Sequence, residues 1–152
     1  MPRQASTPNR PVDPVLEFIR LMWSVDHELQ RVSKRMVTRM GLTAPQRLAL
    51  RFIGIQPDLT PGGLADLLHV HPGTVTGFVR QLEELGLIRI RRSDEDTRRL
   101  HLQLTPRGRV VNRRRSGTVE SAVRRVVGRL TKSELRHASD TMRRLAEELA
   151  AE

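Results

Sequence analysis

The spacing of the apolar residues changes abruptly at Gly86, and this change constrains the fold more than any other feature of the chain. Before Gly86, apolar side chains recur every three or four positions, as on one face of a helix: Val75, Phe78, Val79, Leu82 and Leu85. After Gly86 the period falls to about two, as in a strand: Leu87, Ile88 and Ile90, then Leu100, Leu102 and Leu104. The pattern predicts a helix followed at once by a β-hairpin, with the charged stretch SDEDTRR at its tip.

Threonine residues mark where several other helices begin. Thr60 and Thr105 each offer a capping hydroxyl just before a proline, which suits the first position of a helix because its missing N–H costs nothing there. Thr43 and Thr131 begin the capping-box patterns TAPQ and TKSE. The predicted fold class is mostly α with a small β-hairpin, including one long basic helix over residues 105–130.

The charge of the chain points to an acidic partner. Among 152 residues, 27 are basic and 17 are acidic, which gives a net charge of +10. Such an excess favours nucleic acid first and an anionic membrane surface second. The chain has no cysteine, which excludes disulfides, thiolate catalysis and cysteine-based zinc or redox sensing.

The N-terminal residues resemble neither a signal peptide nor a folded segment. Prolines at positions 2, 8, 11 and 14 predict a flexible arm over residues 1–13, ahead of a single domain over residues 14–152. The arm lacks the apolar core of a secretory signal, and no stretch approaches the length of a membrane span. We therefore expect a cytoplasmic protein that does not enter the membrane.

The helix before Gly86 has a small, polar outer face. A short helix, a tight turn and this longer helix match the helix-turn-helix arrangement, in which the second helix enters the major groove of DNA. A helix can enter the groove only if its outer side chains are small or can hydrogen-bond to bases and phosphates. The candidates for DNA contact are Thr74, Thr76, Gly77 and Arg80.

The hairpin adds a wing that carries arginine at its tip. The narrow minor groove has a strong negative potential that attracts guanidinium groups, so we expect Arg98, and Arg99 beside it, to contact DNA there. Asp96 cannot contact phosphate, and we interpret it as a support that orients Arg98. The alternative is that Asp96 and Arg98 only form a salt bridge at a solvated tip.

These residues resemble the multiple antibiotic resistance regulator (MarR) family. The resemblance rests on an Asp-x-Arg wing tip and a Leu-Thr-x-x-Gly strand end, with LTAPQRLAL and GTVTGFVRQLEELGLIRI upstream; the residues of the two motifs are Asp96, Arg98, Leu104, Thr105 and Gly108. It covers residues 15–152. Gly77 and Arg80 depart from the arginine and the acid that the family often has, so the operator sequence cannot be inferred from relatives.

The resemblance implies a bacterial or archaeal winged-helix homodimer that regulates transcription. Residues 43–105 would form the winged helix-turn-helix, and residues 14–40 and 106–152 the dimerisation helices. Independently, apolar residues along the first and last helices recur at a mean step of about 3.5, a seam too long for a monomer to cover. A two-fold dimer predicts a near-palindromic operator on double-stranded DNA. The resemblance also implies a repressor that releases DNA when a small aromatic or lipophilic effector binds.

The remaining side chains do not indicate a function as specific as DNA binding. Trp23, His27 and Phe52 are candidates for an effector pocket, although Trp23 also fits ordinary core packing. The five histidines lack the converging spacing of a zinc site, and we expect neither a metal nor a cofactor. Nucleophile elbows, phosphate-binding glycine loops and paired acids are missing from the sequence, so we predict no catalytic residues and no enzymatic activity. The main alternative is a sequence-tolerant architectural DNA-binding protein without an effector.

Overall fold

The computed structural model describes residues 13–94 and 98–152 and shows a helical protein with one hairpin. In chain order the elements are α1 (Pro14–Met40), α2 (Ala44–Ile55), α3 (Pro61–Leu68), α4 (Pro72–Glu84), β1 (Ile88–Arg92), β2 (Leu100–Leu104), α5 (Pro106–Arg113), α6 (Val119–Val127) and α7 (Lys132–Ala151). The prediction of mostly α structure with a β-hairpin is confirmed. Within the part of the chain that the structure describes, no helix is both long and apolar enough to cross a bilayer.

The helices begin where the threonines predict. Thr43 and Thr131 each form a complete capping box, and the hydroxyls of Thr60 and Thr105 accept hydrogen bonds from backbone N–H groups three residues later. The start of α4 is different, because the Nδ1 atom of His71 accepts from the N–H of Gly73 at 3.1 Å. A histidine is an uncommon cap, so its role was not predicted from the sequence.

The hairpin is attached to the helices through backbone hydrogen bonds. β1 and β2 are antiparallel and pair Ile88 with Leu104 and Arg92 with Leu100. The N–H of Leu102 donates to the carbonyl of Leu59 at 2.8 Å, which ties β2 to the segment before α3. At the start of β1, the N–H of Leu87 donates to the carbonyl of Leu82 in α4 at 2.9 Å, so the wing is held at its base next to both strands.

One hydrophobic core joins α2, α3, α4 and the hairpin. The stripe predicted on α4 faces this core, and the helix before it contributes Leu64. The core residues with 2% exposure or less are Leu42, Ala49, Leu50, Leu64, Val75, Leu82, Leu87, Ile88 and Leu102. Because the inner face of α4 is buried in this way, its outer face is fixed toward solvent.

Gly108 explains the Leu-Thr-x-x-Gly motif in physical terms. A Cβ atom added at Gly108 would lie 1.8 Å from the carbonyl oxygen of Leu87, so only glycine lets α5 approach the start of β1 this closely. The hydroxyl of Thr105 donates to the carbonyl of Gly86 at 2.6 Å and also accepts from the N–H of Gly108 at 3.0 Å. These contacts set the position of α5 at the base of the wing.

The prediction of one long basic helix over residues 105–130 is wrong. The helix ends at Arg113, Arg114 takes an extended conformation, and Gly117 has a φ of +71°. Thr118 then caps α6 by accepting from the N–H of Ser121 at 3.2 Å. The left-handed glycine and the new cap separate α5 from α6, although the arginines between them are good helix formers.

The two long helices at the ends of the chain are largely uncovered. Within α7, all of whose residues are described, no side chain is buried. On α1, Met36 is the one buried residue. Apolar side chains consequently face solvent along both helices, among them Leu21, Val25, Leu29, Leu135, Met142 and Leu149.

Candidate nucleic-acid interface

The outer face of α4 presents the four residues that the helix-turn-helix prediction selected. Thr74, Thr76, Gly77 and Arg80 are exposed, whereas Val75, Val79 and Leu82 on the same helix are buried. The structure thus brings the four candidates together on one accessible surface. Their contact with DNA remains a prediction.

Arg80 is paired along the helix with an acid one turn later. Its Nε atom lies 2.9 Å from Oε1 of Glu84, and the two side chains are 81% and 62% exposed. An exposed pair of this kind contributes little to stability. The ion pair holds the Arg80 guanidinium on one side of the helix, so Glu84 influences which DNA atoms Arg80 can contact.

Thr76 and Gly77 leave the middle of this face small and partly apolar. The Thr76 hydroxyl donates to the carbonyl of Pro72 at 3.1 Å, which uses the hydroxyl within the helix. A Cβ added at Gly77 would meet no described atom within 4 Å, so packing inside the chain does not require a glycine there. Because neither side chain projects far from the helix, a base edge can approach the α4 backbone closely here.

Gln46 links α2 to the exposed face of α4, a role that sequence reasoning missed. Its Oε1 accepts from the N–H of Thr43 at 2.9 Å, and its Nε2 donates to Oε1 of Gln81. Gln46 is 6% exposed, so its amide is held between the two helices. The capping pattern predicted the first bond, but the second depends on the tertiary packing.

The wing carries arginines on both strands near its tip. Arg91 and Arg92 end β1, and Arg98 and Arg99 precede β2; all four are exposed. The N–H of Ser93 donates to the carbonyl of Arg99 at 2.9 Å, which continues the pairing beyond β1. Asp96, the predicted support for Arg98, lies outside the described residues.

A buried arginine joins α2 to α5 and α6. Arg47 is 2% exposed and donates to three backbone carbonyls at the end of α5, those of Val111 at 2.7 Å, Asn112 at 3.0 Å and Arg114 at 2.6 Å. Its Nε lies 3.1 Å from Oε1 of Glu120. These bonds supply donors to carbonyls at the break after α5, where the Val111 carbonyl also accepts from the N–H of Arg114 at 3.1 Å.

Burial and charge act in opposite directions on this arginine. Burial lowers the pKa of Arg47, and the neighbouring Glu120 carboxylate opposes that shift. Guanidinium groups nevertheless stay charged in proteins. The sequence held a signal for its burial, because Arg47 lies three residues before the core residue Leu50 on the same helix.

A cavity of about 800 Å³ lies among α1, α2, α3, α4 and α6. Its walls are largely apolar, and Glu120 and Arg124 are among its charged lining residues. Trp23, His27 and Phe52 are not part of this lining. Trp23 is 69% exposed on α1, and Phe52 packs against the core instead, so the structure does not bring these three together at this cavity.

The described residues offer no metal centre. Across residues 13–94 and 98–152, no group of three or more histidine and acidic side chains is arranged to hold a metal ion. The outer face of α4 and the wing present exposed arginines and small polar side chains. Together with the fold, this defines a winged helix-turn-helix DNA-binding protein.

Comparisons with known proteins identify the family. The sequence model of the MarR family matches residues 40–99. An HTH-type transcriptional repressor of Mycobacterium bovis is 30% identical over 125 residues, covering 82% of this chain and 90% of that protein. The organic hydroperoxide resistance transcriptional regulator of Bacillus subtilis is 31% identical over 88 residues, which span 58% of this chain and 60% of the relative. The chain belongs to the MarR family, whose members are transcriptional regulators rather than enzymes.

Solved structures agree with this fold. The PcaV transcriptional regulator from Streptomyces coelicolor, solved with its natural ligand, has a TM-score of 0.71 and 25% identity, covering 94% of this chain and 99% of that one. The S. aureus MepR–DNA complex also has a TM-score of 0.71, at 21% identity, covering 87% and 97%.

Proposed function

We propose that this protein is a homodimeric transcriptional repressor that binds a near-palindromic operator and releases it when a small aromatic or lipophilic molecule binds. The observation that carries the proposal is the exposed, polar outer face of α4 beside an arginine-bearing wing. The two elements share one core, so they would contact the major and the adjacent minor groove together. As a regulator of bacterial transcription, it would act in the cytoplasm.

The relatives support repression and ligand control. The Mycobacterium bovis relative is described as a repressor, the MepR structure contains DNA, and the PcaV structure contains a ligand. In this chain the cavity of about 800 Å³ offers room for an effector. An architectural DNA-binding protein would need neither the cavity nor a base-reading face.

The uncovered terminal helices support the dimer. On α7, Leu135, Met142 and Leu149 recur every seven residues and are 37%, 69% and 59% exposed. Apolar side chains at this spacing form the seam of packed helices, and a second copy of the chain would cover them. Such a dimer places two α4 helices about 34 Å apart, one turn of DNA. Light scattering at micromolar concentration should give the mass of a dimer; a monomer with intact DNA binding would refute this arrangement.

The DNA-binding proposal is tested by comparing specific with non-specific affinity. An operator is first selected from a random DNA library, and fluorescence anisotropy then measures its affinity against random DNA at fixed salt. A regulator should prefer its operator by about a thousandfold or more. A ratio near one would support the architectural alternative.

Arg80 provides the matched variant for this assay. If it reads a guanine edge, Arg80→Ala should cost about 1–3 kcal/mol on the operator and much less on random DNA. Arg144→Ala on α7 removes the same charge and should leave the preference unchanged. Equal losses on both DNAs for Arg80→Ala would show that Arg80 contacts phosphate only.

A further inference from the structure

We propose that Gln46, buried at the start of α2, orients the side-chain amide of Gln81 so that α4 presents a neutral hydrogen-bond donor to DNA. Gln46 is a positioning residue, and Gln81 makes the contact. The proposal rests on the proposed function and deepens it, because it adds a DNA contact that the sequence pattern did not select. The orientation of the two amides can also be measured without DNA.

A backbone N–H fixes which way the Gln46 amide points. The N–H of Thr43 can only donate, and it donates to Gln46 at 2.9 Å, so the atom facing it is the oxygen Oε1. The Nε2 group of Gln46 consequently points to Gln81. Because this group can only donate, it must meet the oxygen Oε1 of Gln81. The chain of bonds therefore leaves the Nε2 group of Gln81 directed away from α2.

Burial holds this arrangement in place. Gln46 is 6% exposed, and turning its amide over would bring Nε2 against the N–H of Thr43, two donors facing each other. A buried donor without an acceptor is unfavourable. The capping box of α2 thus determines the direction of an amide on another helix. Gln81 itself is exposed, so a molecule that approaches α4 can contact it.

Gln81 extends the row that Thr74 and Gly77 form along α4. The three residues are three and four positions apart, a spacing that places side chains on one side of a helix. All three are exposed. A Cβ at Gly77 would meet no described atom within 4 Å, so this side of the helix is open next to Gln81. DNA that lies along Thr74 and Gly77 would therefore also reach Gln81.

The fixed amide limits what Gln81 can recognise. A glutamine that recognises adenine by two bonds donates one of them and accepts the other. Here Gln46 already engages Oε1, so we expect Gln81 only to donate. Its partner is then an acceptor on DNA, either a phosphate oxygen or an acceptor atom of a base edge, such as N7 or O6 of guanine.

The test reverses the amide of Gln81. In Gln46→Glu, one carboxylate oxygen still accepts from Thr43, which keeps the capping box, while the other can only accept. Gln81 would turn its Nε2 group toward this oxygen and present Oε1 to DNA. Fluorescence anisotropy at fixed salt measures the affinity for the selected operator and for random DNA. Gln46→Glu should lower the operator affinity about fivefold or more, because an acceptor would face an acceptor.

Gln81→Ala separates the lost contact from the added charge. Alone, it should lower the operator affinity about fivefold, the effect of one neutral hydrogen bond. In a chain that already carries Gln81→Ala, Gln46→Glu should lower the affinity about twofold or less, because only the charge of the new carboxylate acts. A loss for Gln81→Ala that is equal on random DNA assigns the acceptor to phosphate, and a loss confined to the operator assigns it to a base edge.

Nuclear magnetic resonance of the side-chain amides tests the orientation directly. In the wild type, the Nε2 protons of Gln46 should exchange slowly with solvent and those of Gln81 quickly. Operator DNA should slow the exchange at Gln81, and Gln46→Glu should slow it without DNA. The two wild-type measurements decide the question even if a variant does not fold.

Two kinds of result would overturn the proposal. If Gln46→Glu lowers the affinity by the same factor with and without Gln81→Ala, its charge acts directly and Gln46 positions nothing. If operator DNA leaves exchange at Gln81 unchanged, or if Gln81→Ala binds as tightly as the wild type, Gln81 does not contact DNA. An operator preference that stays intact in the wild type would leave the proposed function standing in either case, whereas failure of that function would give a ratio near one.

Discussion

Replacing Arg47 with methionine should destabilise the protein strongly, although methionine fills a similar volume. Arg47 is 2% exposed and donates to three carbonyls at the end of α5 and to Glu120. The variant would remove the Arg47 donor from the Arg114 carbonyl, while the Val111 carbonyl would keep the N–H of Arg114 at 3.1 Å and the Asn112 carbonyl would keep Arg51 at 3.2 Å. Among the described residues, Glu120 would retain only Arg51, whose Nε is 3.6 Å away.

The expected cost follows from these bonds and from what offsets them. Breaking a buried ion pair by removing one partner costs roughly 3–5 kcal/mol. Here Glu120 is 27% exposed and Arg51 stays near it, which reduces the figure. Removing Arg47 also relieves the unfavourable burial of its charge, so we expect a loss of about 2–4 kcal/mol in the free energy of unfolding.

Urea unfolding followed by circular dichroism measures this loss. The protein concentration must be the same for all variants, because dimerisation would make the midpoint depend on it. Arg51→Met is the matched control: Arg51 is 25% exposed and bonds to Asn112 at 3.2 Å, so its loss should cost about 1 kcal/mol or less. If Arg47→Met costs no more than Arg51→Met, the buried network does not hold α5 and α6 in place.

Three further predictions concern single side chains. Gly108→Ala should lower the melting temperature markedly, because its Cβ would collide with the Leu87 backbone, whereas Gly62→Ala in α3 meets only ordinary contacts and should not. Glu84→Gln should lower the ratio of operator to random-DNA affinity in the anisotropy assay, because the freed Arg80 gains non-specific attraction. Hydrogen bonds from Thr131 lower the pKa of Glu134 below its ordinary value of 4.5. The capping box of α7 is therefore complete above pH 4.5 and is lost as the pH falls through the lowered pKa of Glu134. Far-UV circular dichroism should show this acid loss of helix in the wild type and not in Glu134→Gln.

The elements that follow from local patterns could be predicted from the sequence. The period of the apolar residues on either side of Gly86 predicted α4 and the hairpin, and the threonine caps predicted where helices begin. The outer face of α4 followed because its inner face was recognisable. These features depend on neighbours within a few residues, which is the range that sequence patterns report.

The features that sequence reasoning missed depend on contacts between distant segments. The break between α5 and α6 contradicts the helix propensity of its arginines and is stabilised by Arg47 of α2. Gln46 was recognised as a capping residue, but its bond to Gln81 needs two helices to be packed. The cavity likewise is formed by five separate helices, so single aromatic residues such as Trp23 could not locate it.

The polar contacts at two junctions set how the DNA-binding part of the chain is oriented relative to the terminal helices. One is the close approach of Gly108 to Leu87, and the other is the bonding of Arg47 to the end of α5 and to Glu120. Hydrogen bonds and backbone contacts of this kind tolerate less sliding than apolar packing does, because they depend on direction as well as distance. In the proposed dimer, α7 would fix the two-fold axis while these junctions fix the distance from that axis to each α4. Two recognition helices must lie about 34 Å apart to enter successive major grooves, so a small rotation at Glu120 would be enough to mismatch them. A change at either junction would therefore alter DNA binding without touching α4 or the wing.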